Sequence, residues 1–356
     1  MKYDPIHYHD YLKLDQLLKT QSRRSEQLNP SAPAHDEWLF ITVHQVYEIW
    51  FFQIIKELKS LSDIFKSTYI QERDMGTVRH RLARVLLIMK NLTSPLDILE
   101  TMTPLDFLDF RDYLYPASGF QSAQFRIIET MLGLKENQRH QFQSAPFYDH
   151  LKEPQRSEVI ELLKGPSFYE SLESWLERTP FLKTESFDFW SEYKKCLVDL
   201  YNDDLEVIKT NPRLSEAEKI KSTDMIQNFL AQVDLVFDEK SYDELLKQGS
   251  FKLSYKAFHA ALFISLYRDE PVLQIPFKIL SILMDIDEAL TTWRYRHSLM
   301  AHRMLGRKIG TGGSSGTDYL KNTADKHKVF VDLFNLSSYL IPRHKLPKVE
   351  ISYPLR

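Results

Sequence analysis

Along most of the chain, apolar residues recur at the three- and four-residue spacing that lines one face of a helix, and strict alternation is almost nowhere sustained. The clearest such segment is Pro33 to Phe65, PAHDEWLFITVHQVYEIWFFQIIKELKSLSDIF. Pro33 and the acidic pair Asp36 and Glu37 suit a helix start, because proline tolerates the first turn and carboxylates offset the helix dipole. A second helix is predicted over Arg79–Leu99, with Leu82, Val85, Leu86 and Met89 on one side, and a third over Ser122–Leu134. The stretch from about 136 to 251 is more polar and is broken by Pro154, Pro166, Pro180 and Pro212. It still carries helical signals: Ser215 and Glu218 fit a capping box, followed by the apolar stripe Ile226, Phe229, Leu230 and Val233. From Tyr255 onward the chain is strongly apolar again, through Phe258, Leu262, Phe263, Leu280, Leu283, Leu290 and Trp293. Residues 1–34 offer little apolar pattern beyond Tyr8, Tyr11, Leu12, Leu14 and Leu17, as in an arm that packs on another subunit. The expected architecture is all-α: a helical bundle over 35–356, with a helical excursion at about 136–251.

Composition sharpens this picture. Only 10 glycines occur, few for a strand-and-turn protein of 356 residues, and 13 % of residues are aromatic, which suits a pocket lined by rings. Lys plus Arg (46) nearly balances Asp plus Glu (49), so there is no basic face for nucleic acid and no acidic tail. A lone cysteine, Cys196, excludes an internal disulfide and a thiolate zinc cluster, and fits a reducing compartment. The start, MKYDPIHYHDYLKLDQ, lacks the apolar region of a signal peptide, and no run approaches the roughly 18 apolar residues of a membrane span. A soluble cytoplasmic protein with no membrane segment is expected.

Among 12 histidines, His7 and His9 sit in a polar tract, and His80, His140, His150, His327 and His344 lie among polar neighbours and read as surface. His35, His259 and His302 stay undecided. His44 shares a helix face with Phe40, one turn earlier, and His297 lies one turn after Trp293 and one before Met300. Either alone reads as a core histidine satisfied by a hydrogen bond. Together, on separate helices and without thiolates, they suit a buried cofactor such as haem, with one neutral imidazole on iron and another facing the open side. Phe107 and Arg111 are also one turn apart. An arginine beside rings can clamp a carboxylate in two-pronged fashion, or it can simply pair with Asp109 or Asp112. The stretch Gly310-Thr311-Gly312-Gly313-Ser314-Ser315-Gly316 holds four of the ten glycines just after a helix. It lacks the Gly-Lys-Ser/Thr of a phosphate loop, and a lid over a ligand is preferred to a bland linker.

Several long motifs, in order, resemble the tryptophan 2,3-dioxygenase family: Tyr8-His9-Asp10-Tyr11-Leu12, HDEWLFITVHQVYEIWF (35–51), FRDYLYPASGFQSAQFR (110–126), WRYRHSLMAHRMLGRKIGTGGSSG (293–316) and VFVDLFNLSSYLIPRH (329–344). Within the excursion, Trp175–Pro180 is similar to animal-type members. The resemblance implies a haem-dependent enzyme that opens the indole C2–C3 bond of L-tryptophan with O2 to give N-formyl-L-kynurenine. It implies His297 as axial ligand of haem b and His44 as the distal histidine near the indole N–H, as a base or only as a positioning group. Phe40 and Phe107 would line the indole pocket, Arg111 would bind the substrate carboxylate, and Thr311 would contact its ammonium and carboxylate end. Ser118 and Gly119 match distal-pocket positions. Tyr8, Tyr11 and Leu12 match residues supplied by a neighbouring subunit within a homotetramer. A relative that inserts one oxygen atom or takes a modified tryptophan would fit these residues almost as well; a haem-binding sensor or carrier without turnover and a purely structural helical protein are the readings of other classes.

Overall fold

Short polar side chains start several helices of this chain, with Thr103, Ser122, Asp188, Ser215, Asp238 and Ser254 each accepting from a first-turn amide. The computed structural model describes residues 3–67, 70–139, 146–179, 188–306, 308, 320–321, 323–324 and 326–349. In chain order its helices are α1 (Tyr8–Leu12), α2 (Leu14–Leu17), α3 (Arg24–Leu28), α4 (Glu37–Phe65), α5 (Glu72–Asn91), α6 (Ser94–Leu99), α7 (Pro104–Arg111), α8 (Ala123–Leu132), α9 (Gln155–Lys164), α10 (Phe168–Glu177), α11 (Phe189–Thr210), α12 (Glu216–Val236), α13 (Glu239–Lys247), α14 (Tyr255–Leu266) and α15 (Pro271–Leu305). A further short helix spans Val331–Asn335, and no strand occurs among the described residues, so the all-α expectation holds. The predicted capping box is present: Glu218 accepts from the Ser215 amide at 2.9 Å, while the Ser215 hydroxyl accepts from the Glu218 amide at 3.3 Å. Such caps satisfy amides that a helix start leaves without partners, each contributing roughly 1 kcal/mol.

One boundary differs from the sequence reading, for a reason of backbone chemistry. The predicted Arg79–Leu99 helix is two helices, α5 and α6. Pro95, in the first turn of α6, lacks an N–H and crowds the carbonyl four residues back, that of Asn91, where α5 ends. Glu37 was expected to offset the helix dipole. It does stand in the first turn of α4, and its buried carboxylate also receives the amides of Arg24 (2.7 Å) and Ser25 (2.8 Å), capping α3 from a distance in sequence.

The chain divides into two compact units, Met1–Leu61 with Arg81–Ser167 and Asp285–Val329, and Ser62–His80 with Phe168–Met284 and Phe330–Arg356. In the first unit, Ile54, Leu58 and Leu61 of α4, Leu82 and Val85 of α5, Phe110 of α7 and Ile128 of α8 are completely buried. Each such side chain removed from water contributes about 2 kcal/mol. The same unit buries Glu129 among Arg139 (2.6 Å), Arg294 (2.8 Å), Arg126 (3.0 Å) and His327 (3.5 Å). Burial opposes the Glu129 charge, yet Arg139, Arg126, the His327 contact and Arg294 together hold its carboxyl well below the usual range. His327, expected at the surface, is therefore a buried residue, and its main-chain carbonyl accepts from Arg294 at 3.0 Å. In the second unit α10 packs on α14 and α11 on α12, around the buried rings of Phe168, Phe189, Tyr193, Tyr242, Phe258 and Phe263. The buried Asp332 carboxylate accepts from the amides of Lys252 and Leu253, both at 2.6 Å. No helix among the described residues is long and apolar enough to cross a membrane.

Candidate functional site

Helix periodicity puts Phe40, His44, Tyr47, Glu48 and Phe51 on one side of α4, and α7 and α15 supply what they meet. The Phe40 ring lies 4.1 Å from the His44 imidazole and 5.7 Å from Phe107, with which it is stacked at 30°. Phe110 closes the corner, edge-on to both phenylalanines at 5.5 and 5.4 Å. Arg111 follows at the last turn of α7, its guanidinium 3.9 Å from the Asp112 carboxylate. That carboxylate is 92 % exposed, so the pairing with Asp112 is present but of the weak, screened kind.

His44 has a defined protonation pattern. Its Nδ1 lies 2.7 Å from the main-chain oxygen of Phe40. A carbonyl can only accept, so Nδ1 carries the proton and Nε2 of the neutral ring is an acceptor. Solvent reaches the ring, but protein surrounds it closely enough that desolvation lowers its pKa, against opposing contributions from the Phe40 carbonyl and Glu48. This is the condition of a neutral imidazole with one edge toward solvent.

On α15, His297 stacks under Trp293, with centroids 5.2 Å apart and planes at 26°. Trp293 in turn meets Phe125 of α8 at 5.2 Å and the edge of Tyr47 at 5.9 Å. Tyr47 is fixed by donating to the carbonyl of Leu92 at 2.7 Å. His44 and Tyr47 are one turn apart on α4, so the Tyr47–Trp293 contact carries the two histidines toward each other. The pKa of His297 falls to about 4, first through burial and then through repulsion by His44. Its Nδ1 is buried with no hydrogen-bond partner, which leaves Nε2 as the nitrogen able to reach a ligand. A neutral imidazole is the form that ligates a metal. Among the described residues no group of three or more His, Cys, Asp or Glu could hold a metal ion. A lone neutral imidazole of this kind fits a metal that brings its other donors with it, the chemistry of a haem iron.

Other expected positions are more dispersed. Ser118 caps the 3-10 turn Gly119–Gln121, accepting from the Phe120 amide at 3.4 Å, and the space a side chain at Gly119 would enter is open. Tyr8, Tyr11 and Leu12 stand in water at 70, 69 and 40 % exposure, away from these rings within the single chain. Thr311 and the glycine-rich stretch lie outside the described residues. The sequence reading passed over Tyr47, Phe125 and Glu48, although Glu48 is one turn beyond His44 in the same motif.

The family described as Tryptophan 2,3-dioxygenase matches residues 3–340. Tryptophan 2,3-dioxygenase of Bdellovibrio bacteriovorus is 52 % identical over 347 residues, covering 98 % of this chain and 96 % of the relative. The proteins of the same name from Dictyostelium discoideum and Rattus norvegicus are 45 % and 44 % identical, over 97 % and 96 % of this chain and 86 % and 84 % of their own lengths. The chain belongs to the tryptophan 2,3-dioxygenase family.

Proposed function

We propose that this protein is a haem-dependent dioxygenase that converts L-tryptophan and O2 into N-formyl-L-kynurenine, opening the indole C2–C3 bond. The observation that carries the reading is the pair of neutral imidazoles, His44 and His297, converging beside the Phe40–Phe107 wall. Nε2 of His297 would hold the iron of haem b, and the bound haem supplies the oxygen activation that side chains cannot. All atoms of both substrates end in the product, so no external electron donor is consumed.

The protein's own task is to place the indole. Phe40 and Phe107 present ring faces of the size an indole can stack on. Nε2 of His44, left as acceptor by the Phe40 carbonyl, can take the indole N–H. We assign His44 a positioning role, because the indole N–H is a weak acid and a neutral imidazole a modest base. The Arg111 guanidinium can bind the substrate carboxylate, with Thr311 at the ammonium and carboxylate end. Ser118 and Gly119 would border the oxygen side. Tyr8, Tyr11 and Leu12, left in water by the single chain, would cover a neighbouring subunit's pocket in a homotetramer. Such a subunit in the cytoplasm needs neither nucleic acid nor membrane.

Turnover under isotopically labelled O2 tests the reaction class. Mass spectrometry of the product should find two labelled oxygen atoms. One labelled atom would mean a monooxygenase, and no tryptophan-derived product would leave only a haem-binding role.

A further inference from the structure

The Glu48 carboxylate has an unusual set of partners for a half-buried charge. It makes no ion pair among the described residues; instead a hydroxyl and an amide hold it. Ser122 Oγ donates to one carboxylate oxygen at 2.6 Å, and Gln124 Nε2 donates to the other at 2.8 Å. The same Gln124 amide also donates to the main-chain oxygen of Glu48 at 2.7 Å. Neutral donors to a charged acceptor form short, strong hydrogen bonds, roughly twice as strong as neutral pairs.

What these bonds fasten is a turn that also has hydrogen bonds of its own. The Ser118 amide donates to the Gln121 side chain at 3.4 Å, and Gln121 Nε2 donates to the Pro116 carbonyl at 3.4 Å. Ser122 then starts α8, its hydroxyl accepting from the Phe125 amide at 3.3 Å. The segment 116–122 is thus braced internally and meets His150 through Phe120 at 6.2 Å, and the Ser122 hydroxyl ties it to α4 at the Glu48 carboxylate. On α4, Glu48 lies one turn after His44, on the same face.

We propose that Glu48 is a positioning residue that docks the Ser118–Ser122 turn against the His44 turn of α4, so that both sides of the substrate recess keep a fixed separation. This rests on the proposed dioxygenase reading. Glu48 touches neither substrate nor cofactor; it acts through Ser122 and Gln124. Losing it lets the turn drift, which weakens tryptophan binding without disturbing the His297 side.

The test uses the haem-loaded full chain and its Glu48→Ala, Glu48→Gln, Gln124→Ala and Glu48→Ala/Gln124→Ala variants. Tryptophan affinity is read from the tryptophan-induced change in the haem absorption band with O2 excluded, together with haem stoichiometry and the separate effects on KM and kcat. Haem stoichiometry should be unchanged throughout. Glu48→Ala should weaken tryptophan binding on the order of tenfold, the scale of one charge-assisted hydrogen bond. Glu48→Gln keeps one acceptor oxygen and should lose about a third as much on a logarithmic scale. KM should rise more than kcat falls. The double variant should lose less than the product of the two single losses, because both changes remove the bond between Gln124 and the Glu48 carboxylate. Unchanged affinity in Glu48→Ala, or a double variant whose loss is the product of the two single losses, overturns the proposal. So does loss of haem from Glu48→Gln, which decides the matter if Glu48→Ala fails to fold. Absence of any tryptophan response in the unsubstituted protein would instead sink the parent reading.

Discussion

His44 and His259 start from the same local design and end in different surroundings. Each follows an aromatic residue by one helical turn, Phe40 and Tyr255, with ring centroids 4.1 Å apart in both pairs. Each places Nδ1 against that residue's carbonyl, at 2.7 and 2.8 Å. Beyond that point they diverge. In the second unit His259 is 1 % exposed and boxed by Trp190 at 4.6 Å and Phe237 at 5.1 Å, its Nε2 buried with no hydrogen-bond partner. In the first unit the His44 ring is open to solvent, and its acceptor nitrogen is available. The helix repeat thus delivers two neutral imidazoles of one tautomer, and only the one left unsealed is equipped to meet a ligand. An unpartnered polar atom in an apolar box costs roughly 1–3 kcal/mol.

The comparison can be broken most severely through the partner that only His44 has. Replacing His297 with Ala should abolish stoichiometric haem binding, seen as loss of the haem absorption band; a normal band would refute its role as iron ligand. Next in size is Arg111→Ala. Removing one side of a charged contact costs about 2–5 kcal/mol, so tryptophan affinity should drop on the order of a hundredfold while indole binding changes little. Equal loss for both ligands would remove the carboxylate assignment.

The histidines themselves come next. His44→Leu should keep haem and lower kcat/KM for tryptophan about tenfold, the loss of one substrate hydrogen bond. His259→Leu should leave kcat/KM unchanged and raise unfolding free energy by about 1 kcal/mol in denaturant titration, since it removes the orphaned nitrogen. A kinetic defect in His259→Leu would erase the distinction drawn above. The same burial gives a pH dependence. The pKa of His259 is pushed down by burial from 6.5 to about 4. Above pH 6.5 both folded and unfolded forms are neutral there, and stability is complete. As pH falls from 6.5 toward 4 the unfolded chain binds a proton that the folded chain refuses, so stability declines across that window. Denaturant midpoints taken at several pH values should fall less steeply for His259→Leu; an identical slope would deny His259 this part.

These outcomes also mark how far the sequence could be read. The helix repeat predicted α4 and the Ser215 cap well because both depend on residues within one or two turns. It predicted one helix where the break before Pro95 makes two, since the apolar stripe continued past a residue that lacks an N–H. His327 read as surface from its polar neighbours, whereas its partner Glu129 is remote in sequence and was invisible to any local window. The same limit applies to His259: Tyr255 was legible beside it, but Trp190 and Phe237 come from other helices. The Phe40–His44 and Phe107–Arg111 turns were legible as spacings; their convergence with Trp293 and His297 depends on tertiary packing, and only long motif resemblance anticipated it.

The central claim is that His297 holds haem opposite a tryptophan site at His44. Its most direct test is an absorption spectrum of the reduced full-length protein, recorded in air with and without L-tryptophan. The account predicts a haem band that responds to tryptophan, together with a growing near-ultraviolet absorbance from N-formyl-L-kynurenine. A haem band indifferent to tryptophan, with no new absorbance, would contradict it.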